Sequence, residues 1–241
     1  SWVDHHAFVG LDGDPVRFID QYNLSAKRGG NRAVGPDPTP GRVGFVRYGD
    51  EQLLFRAARS PLPPPMSDEE AAACGIRETR PQDALALSRL YASVTPQPVQ
   101  RLEALRLPDW ERQGRESRVP RSSLAPILRF ADVEAFVLAA PGGGRDGTQI
   151  DAFLQVGVAK EDQPHYLKIM ARPEADVVPL IRFALGVIAA RADASALHRQ
   201  GVLAPVRTYE SPVDRRLEEE GFDSIATVTL LMKETLVRVA E

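Results

Sequence analysis

With a single cysteine, Cys74, in 241 residues, the chain has no internal disulfide and no metal site built from several thiolates. Long apolar runs are missing as well: none approaches the roughly 20 residues that a membrane span requires. The content of 43% hydrophobic and 26% charged residues is that of a soluble globular chain. Neither charge sign dominates. The net charge is −3, and there is no basic stripe with interleaved aromatics, which sets nucleic acid aside as a main partner. Lysine is scarce: only Lys27, Lys160, Lys168 and Lys233 stand among the 30 basic residues. We read this arginine bias as genome composition and draw no mechanism from it. The opening SWVDHHAFVG has neither the charged nor the apolar segment of a signal peptide, and with one cysteine a cytoplasmic location is expected. Ser1 in the first position suggests a start inside a longer chain. Ser-His-Asp order, H-E-x-x-H and zinc spacing are all absent. Asp4-His5-His6 carries ligand-type side chains, but adjacent histidines on a strand face opposite ways and no second cluster accompanies them.

Proline and glycine punctuate what is present. Two alternating runs, Ala7–Val9 and Val16–Ile19, flank Gly10-Leu11-Asp12-Gly13-Asp14 and read as a β-hairpin, and residues 26–40 read as an exposed loop. A second hairpin is expected from Val43–Arg47 and Gln52–Ala57 around Tyr48-Gly49-Asp50-Glu51. Ser60-Pro61-Leu62-Pro63-Pro64-Pro65-Met66 reads as an extended linker, placing a boundary between a β-rich extension, 1–66, and a domain over 67–241. Ser67-Asp68-Glu69-Glu70 is a capping-box pattern opening a short helix that ends at Cys74-Gly75, with Cys74 taken as a small buried residue.

From Gly75 the expected order is β, α, α, β, β, β, α, β, α, β. Ile76–Pro81 is a strand, and Gln82–Val94 a helix whose Leu85, Leu87, Leu90, Tyr91 and Val94 face the core. Val99–Glu116 is helical but interrupted at Pro108. Strands follow at Ile127–Phe130, Glu134–Ala139 and, past the turn Pro141–Gly147, at Ile150–Val158. His165–Ala171 is a strand that runs through the turn Arg172-Pro173-Glu174-Ala175-Asp176 into a helix from about Ala175. Val178, Ile181, Leu185, Ile188 and Ala189 make the apolar face of that helix. Arg191–Gly201 is a polar connection and Pro205–Tyr209 a strand. A helix capped by Ser211 stops at Gly221, and Phe222–Val239 forms one or two closing strands.

This order, with IRETRPQDALALSRLY, LKIMARPE and RRLEEEGFDSIATVTLLMK, resembles the GNAT-type N-acetyltransferase superfamily over about residues 75–240. The resemblance implies an α/β (α+β) fold, a mixed, mostly antiparallel sheet flanked by helices, with the β-rich extension before it. It also implies acetyl-CoA as cofactor and an amine as acceptor. In that family the turn after the fourth strand reads Q/R-x-x-G-x-G/A, and its backbone N–H groups hold the pyrophosphate at a helix N-terminus. Here the matching residues are Arg172, Ala175, Asp176, Val177 and Val178, with no glycine and with Glu174 and Asp176 adding negative charge. Each carboxylate is adverse to a diphosphate by about 1 kcal/mol. The family's acid tyrosine corresponds to Leu217, and its asparagine to Glu210, beside which Tyr209 is a substitute proton donor.

Other residues read more plainly. His165 is expected as a strand-edge side chain rather than a general base, and His198 as a surface residue. Gly142-Gly143-Gly144 leads into a strand, so it reads as a hairpin tip and not as a phosphate loop. Glu218-Glu219-Glu220 and Arg112–Arg121 read as solvated surface. Two functions stay open. One is an acyl-CoA-dependent N-acetyltransferase acting on an unidentified amine. The other is a non-catalytic GNAT-like module that has lost acetyl-CoA binding and serves binding or assembly with a protein partner or a second copy of itself.

Overall fold

The chain is described by a computed structural model over residues 26–27, 45–112, 119, 122, 124, 128–140, 149–160, 163–193 and 200–233. The hairpin expected over residues 7–19, the Asp4-His5-His6 and Gly142–Gly144 stretches and His198 lie outside these residues. The strands are β1 (Ala26–Lys27), β2 (Phe45–Arg56), β3 (Ile76–Glu78), β4 (Phe130–Ala139), β5 (Ile150–Ala159), β6 (His165–Ala171), β7 (Val202–Arg207) and β8 (Asp223–Lys233). The α-helices are α1 (Asp68–Ala73), α2 (Ala84–Val94), α3 (Gln97–Glu103), α4 (Leu107–Glu111), α5 (Val178–Asp193) and α6 (Ser211–Glu219). One sheet takes all eight strands in the order β1-β8-β2-β7-β6-β5-β4-β3. Every neighbouring pair is antiparallel except β6 with β7. The expected α/β class with a mixed, mostly antiparallel sheet is therefore what the chain forms.

Two apolar layers cover the sheet. On one face Leu180, Ile181, Ala184, Leu185 and Ile188 of α5, with Val213 and Leu217 of α6, pack on Leu154, Val156, Leu167 and Ile169. On the other, Leu87, Leu90 and Tyr91 of α2 and Trp110 of α4 pack on Val137, Phe153 and Met170. Both faces being covered explains why β6 is buried at every position. The α5 stripe is displaced from the expected one: Val178 and Ala189 flank it, half-buried, while Leu180 and Ala184 lie at its centre. On α2, Leu85 is 51% exposed, because α2 buries only one narrow face.

Local chemistry sets the element ends. Ser67 and Glu70 make the reciprocal capping box of α1, each side chain accepting from the other's backbone N–H. Cys74 is exposed at the C-cap of α1, not buried as expected, because the helix ends at the surface. At the end of α6, Gly221 turns the chain with φ +86°, a left-handed conformation that glycine adopts without penalty. The residue before α6 is Glu210, so Ser211 is its first helical residue rather than its cap.

Residues 45–56 are one strand, not two. Tyr48-Gly49-Asp50-Glu51 have turn-type side chains, yet Gly49 pairs with Leu230, Asp50 with Thr229 and Glu51 with Val228, the register slipping at a bulge between Arg47 and Gly49. The Thr229 hydroxyl donates to the Asp50 carboxylate at 3.0 Å, which satisfies a residue otherwise unsuited to a strand. This strand runs between β7 and β8 and is bonded to both, so the sheet does not stop at the proline segment. Ala26–Lys27, expected as loop, pairs with Thr227 and Val228 of β8.

Candidate functional site

The parallel pair β6–β7 is joined only at its start. His165 pairs with Val202 and Tyr166 with Leu203, after which Ala204 and Pro205 pair with β2 alone. Proline explains part of the opening, since Pro205 has no N–H to offer a neighbouring strand. Lys168 reaches across it. Its side chain is 1% exposed, and its Nζ donates to the Pro205 carbonyl at 3.2 Å and to Glu210 Oε2 at 2.8 Å. The same carboxylate oxygen accepts the backbone N–H of Arg207 at 2.9 Å. Glu210 thus immediately precedes α6 while bonding back to the end of β7.

A second buried ion group adjoins the first. The Arg207 guanidinium forms ion pairs with Glu51 of β2 and Glu103 of α3, each at 3.2 Å, and lies 5.7 Å from the centre of the Tyr48 ring. Glu103 Oε2 accepts the Tyr91 hydroxyl at 2.7 Å. Burial opposes the charge on Arg207, but Glu51 and Glu103 outweigh it and hold its pKa above the ordinary value. Burial raises the Tyr209 phenol, and the neighbouring Glu210 carboxylate raises it further, so Tyr209 stays protonated. The structure therefore brings Glu210 into one buried ionic group with Lys168, Arg207, Glu51 and Glu103, and Tyr209 stands next to it in the chain. Tyr209 itself is half-buried.

The turn between β6 and α5 has its own partners. Arg172 donates its backbone N–H to the Asp151 carbonyl at 2.9 Å, and its Nε lies 3.6 Å from the Asp151 carboxylate. The Ala175 N–H closes a turn on the Arg172 carbonyl at 3.1 Å. Asp176 Oδ1 accepts the N–H of Val178, the first helical residue, at 3.2 Å. Val177 is buried and Ala175 packs against the core. The helix begins three residues later than expected because Asp176 caps it in an extended turn and leaves Ala175 outside.

No family model and no curated protein matches the sequence. Solved structures align with it in outline. A GNAT-family protein from Novosphingobium aromaticivorans is 16% identical with a TM-score of 0.46 over 90% of this chain and 80% of its own. A GCN5-related N-acetyltransferase from Sphaerobacter thermophilus is 15% identical with a TM-score of 0.41 over 80% of this chain. A GNAT-family acetyltransferase from Colwellia psychrerythraea is 10% identical with a TM-score of 0.39 over 78%. This chain spans 53% of the Sphaerobacter protein and 57% of the Colwellia one. The fold assignment rests on the strand order itself.

Several residues of the group were not legible as site residues. Lys168 stood within the strand expected at His165–Ala171, and Glu51 as part of a turn. Glu103 lay in a broken helical stretch. Their partners are far away in the sequence, so no local spacing marks them. His165, expected at a strand edge, is 1% exposed, and its Nδ1 accepts the Ala159 N–H at 3.1 Å. That contact ties β6 to the end of β5. Leu217, at the position of the family's tyrosine, is buried in the core. Among the described residues no group of three His, Cys, Asp or Glu is placed to hold a metal ion, and no helix is long and apolar enough to cross a membrane.

Proposed function

We propose that this chain is a non-catalytic module with a GNAT-like fold, acting in binding or assembly, in which acetyl-CoA is not held at the turn before α5. The observation that carries the reading is the bond from the Val178 N–H to Asp176. A helix N-terminus offers its free N–H groups to an anion, and here a carboxylate of the chain itself takes one of them. Glu174 is exposed beside it, and Arg172 is engaged with Asp151. A diphosphate entering this turn would have to displace one carboxylate and approach a second.

A titration of thermal stability with acetyl-CoA tests this reading. A ligand at a hundred times its Kd adds about 2.7 kcal/mol to the folded state, a readily visible shift. No shift is expected for the natural chain. Saturable stabilisation would overturn the proposal. In the double variant Glu174→Gly, Asp176→Gly the carboxylates are gone and the backbone is opened to close approach. Acetyl-CoA binding gained in that variant alone would show that the turn had been the obstacle.

A second reading, an N-acetyltransferase acting on an unidentified amine, has one observation in its favour. Tyr209 is held protonated beside Glu210, as a general acid must be. Under this reading Tyr209→Phe lowers turnover of acetyl-CoA with an amine acceptor by about 100-fold while leaving the melting temperature nearly unchanged. Under the first reading neither protein turns over.

A further inference from the structure

We propose that the opening between β6 and β7 is a site for a primary ammonium group, and that the protein fills it permanently with its own Lys168. This rests on the side-chain geometry and not on whether acetyl-CoA binds. The parallel ladder ends after Tyr166 and Leu203, and the backbone atoms beyond that point do not pair across the gap. Its walls present the carbonyl of Pro205, a residue beyond the end of the β6–β7 ladder, and a carboxylate, Glu210, 5% exposed. A carbonyl and a carboxylate converging on one point are the donor set of an alkylammonium ion. Lys168 Nζ occupies that point with both contacts at hydrogen-bond distance, 3.2 and 2.8 Å, and at 1% exposure.

The consequence is a gap closed by a tethered cation instead of by a ladder. A buried Glu210 without its cation is costly, so the lysine is held in place by the same carboxylate that would otherwise receive an external amine. The positive groups facing Glu210 are Lys168 from β6 and Arg207 from β7. The latter contributes its backbone N–H and commits its guanidinium to Glu51 and Glu103.

The test removes the tether and supplies the cation in solution. Lys168→Ala leaves a space the size of propylammonium. The variant is expected to melt on the order of 10 °C below the natural chain. n-Propylammonium chloride at a hundredfold excess over its Kd should return on the order of 5 °C, saturably. Tetramethylammonium, which has no N–H, and propionate should return nothing. The natural chain, with the site filled, should not respond, and Lys168→Ala with Glu210→Gln should lose the recovery. Lys168→Met fills the space without charge. It should fold, melt below the natural chain and ignore the amine. If Lys168→Ala cannot be purified folded, refolding yield with and without propylammonium is read instead, against Lys168→Met as the folding control. Recovery equal for propylammonium and tetramethylammonium, or no recovery by propylammonium in either readout, overturns the proposal.

Discussion

At the residue scale, the charges that matter are those withdrawn from water. Asp83 shows how such a group sets a pH dependence. Its burial favours the neutral acid, but Arg77 donates to both of its oxygens at 2.7 Å and the Arg80 N–H donates at 2.8 Å, so its pKa lies below the ordinary 3.8. A carboxylate whose pKa is lowered on folding gives stability that is full above its unfolded value. That stability is lost as the pH falls through the folded one. Asp83→Asn is therefore expected to cost about 2 kcal/mol at pH 7. Urea melts should show the difference narrowing below about pH 4. The pairing was invisible in RETRPQD because only the fold turns Arg77 of β3 toward Asp83. The same holds for Lys168, Glu103 and Glu51, whose partners come from other elements. By contrast the capping box of α1 and the stop at Gly221 could be read directly, since each is settled within four residues.

At the element scale, the proline segment behaves as a strap rather than a loose linker. Arg56 fixes its start, donating to the carbonyls of Ser60 and Pro61 and, on the far side, to that of Glu220 at the end of α6. Leu62 and Met66 pack on the core, and the strap crosses α5 where Gly186 leaves room. A methyl group there would lie 3.0 Å from Pro65 Cα and 3.2 Å from the Pro64 carbonyl oxygen. Replacing glycine by alanine in a helix ordinarily gains about 1 kcal/mol. Here overlap with backbone outweighs that gain, and Gly186→Ala is expected to lose about 1–2 kcal/mol in denaturant melts. A gain would mean that the strap moves aside freely. Extended prolines were legible as extended. That they lie against a helix was not, because a glycine inside a helical pattern does not say what approaches it.

At the scale of the whole molecule, the sheet ignores the boundary that composition suggests. The proline run gives a clear shift in composition after a short, weakly apolar opening, which is why an extension over residues 1–66 was expected. Yet Leu53, Leu54 and Phe55 are core residues, and β2 is paired on both sides. A chain starting at residue 67 would leave two interior strand edges, on β7 and β8, without their partner. We expect that fragment to aggregate or to show no cooperative melt by circular dichroism, whereas a chain starting at residue 45 melts cooperatively. Cooperative folding of the 67–241 fragment would show that β2 is an accessory.

The place of β2 also fixes when the protein can be completed during synthesis. Its partners are the last of the described strands to leave the ribosome: Leu53 must wait for Ala226, and Gln52 for Val206. Until then β3 to β6 and their helices can gather by contacts between near neighbours, while an apolar strand made early stays without its mates. Such a chain spends its translation with one sticky segment unshielded. A ribosome-stalled series ending before and after β8 should therefore show β2 cut by protease in the shorter products and protected only once residue 233 has cleared the exit tunnel.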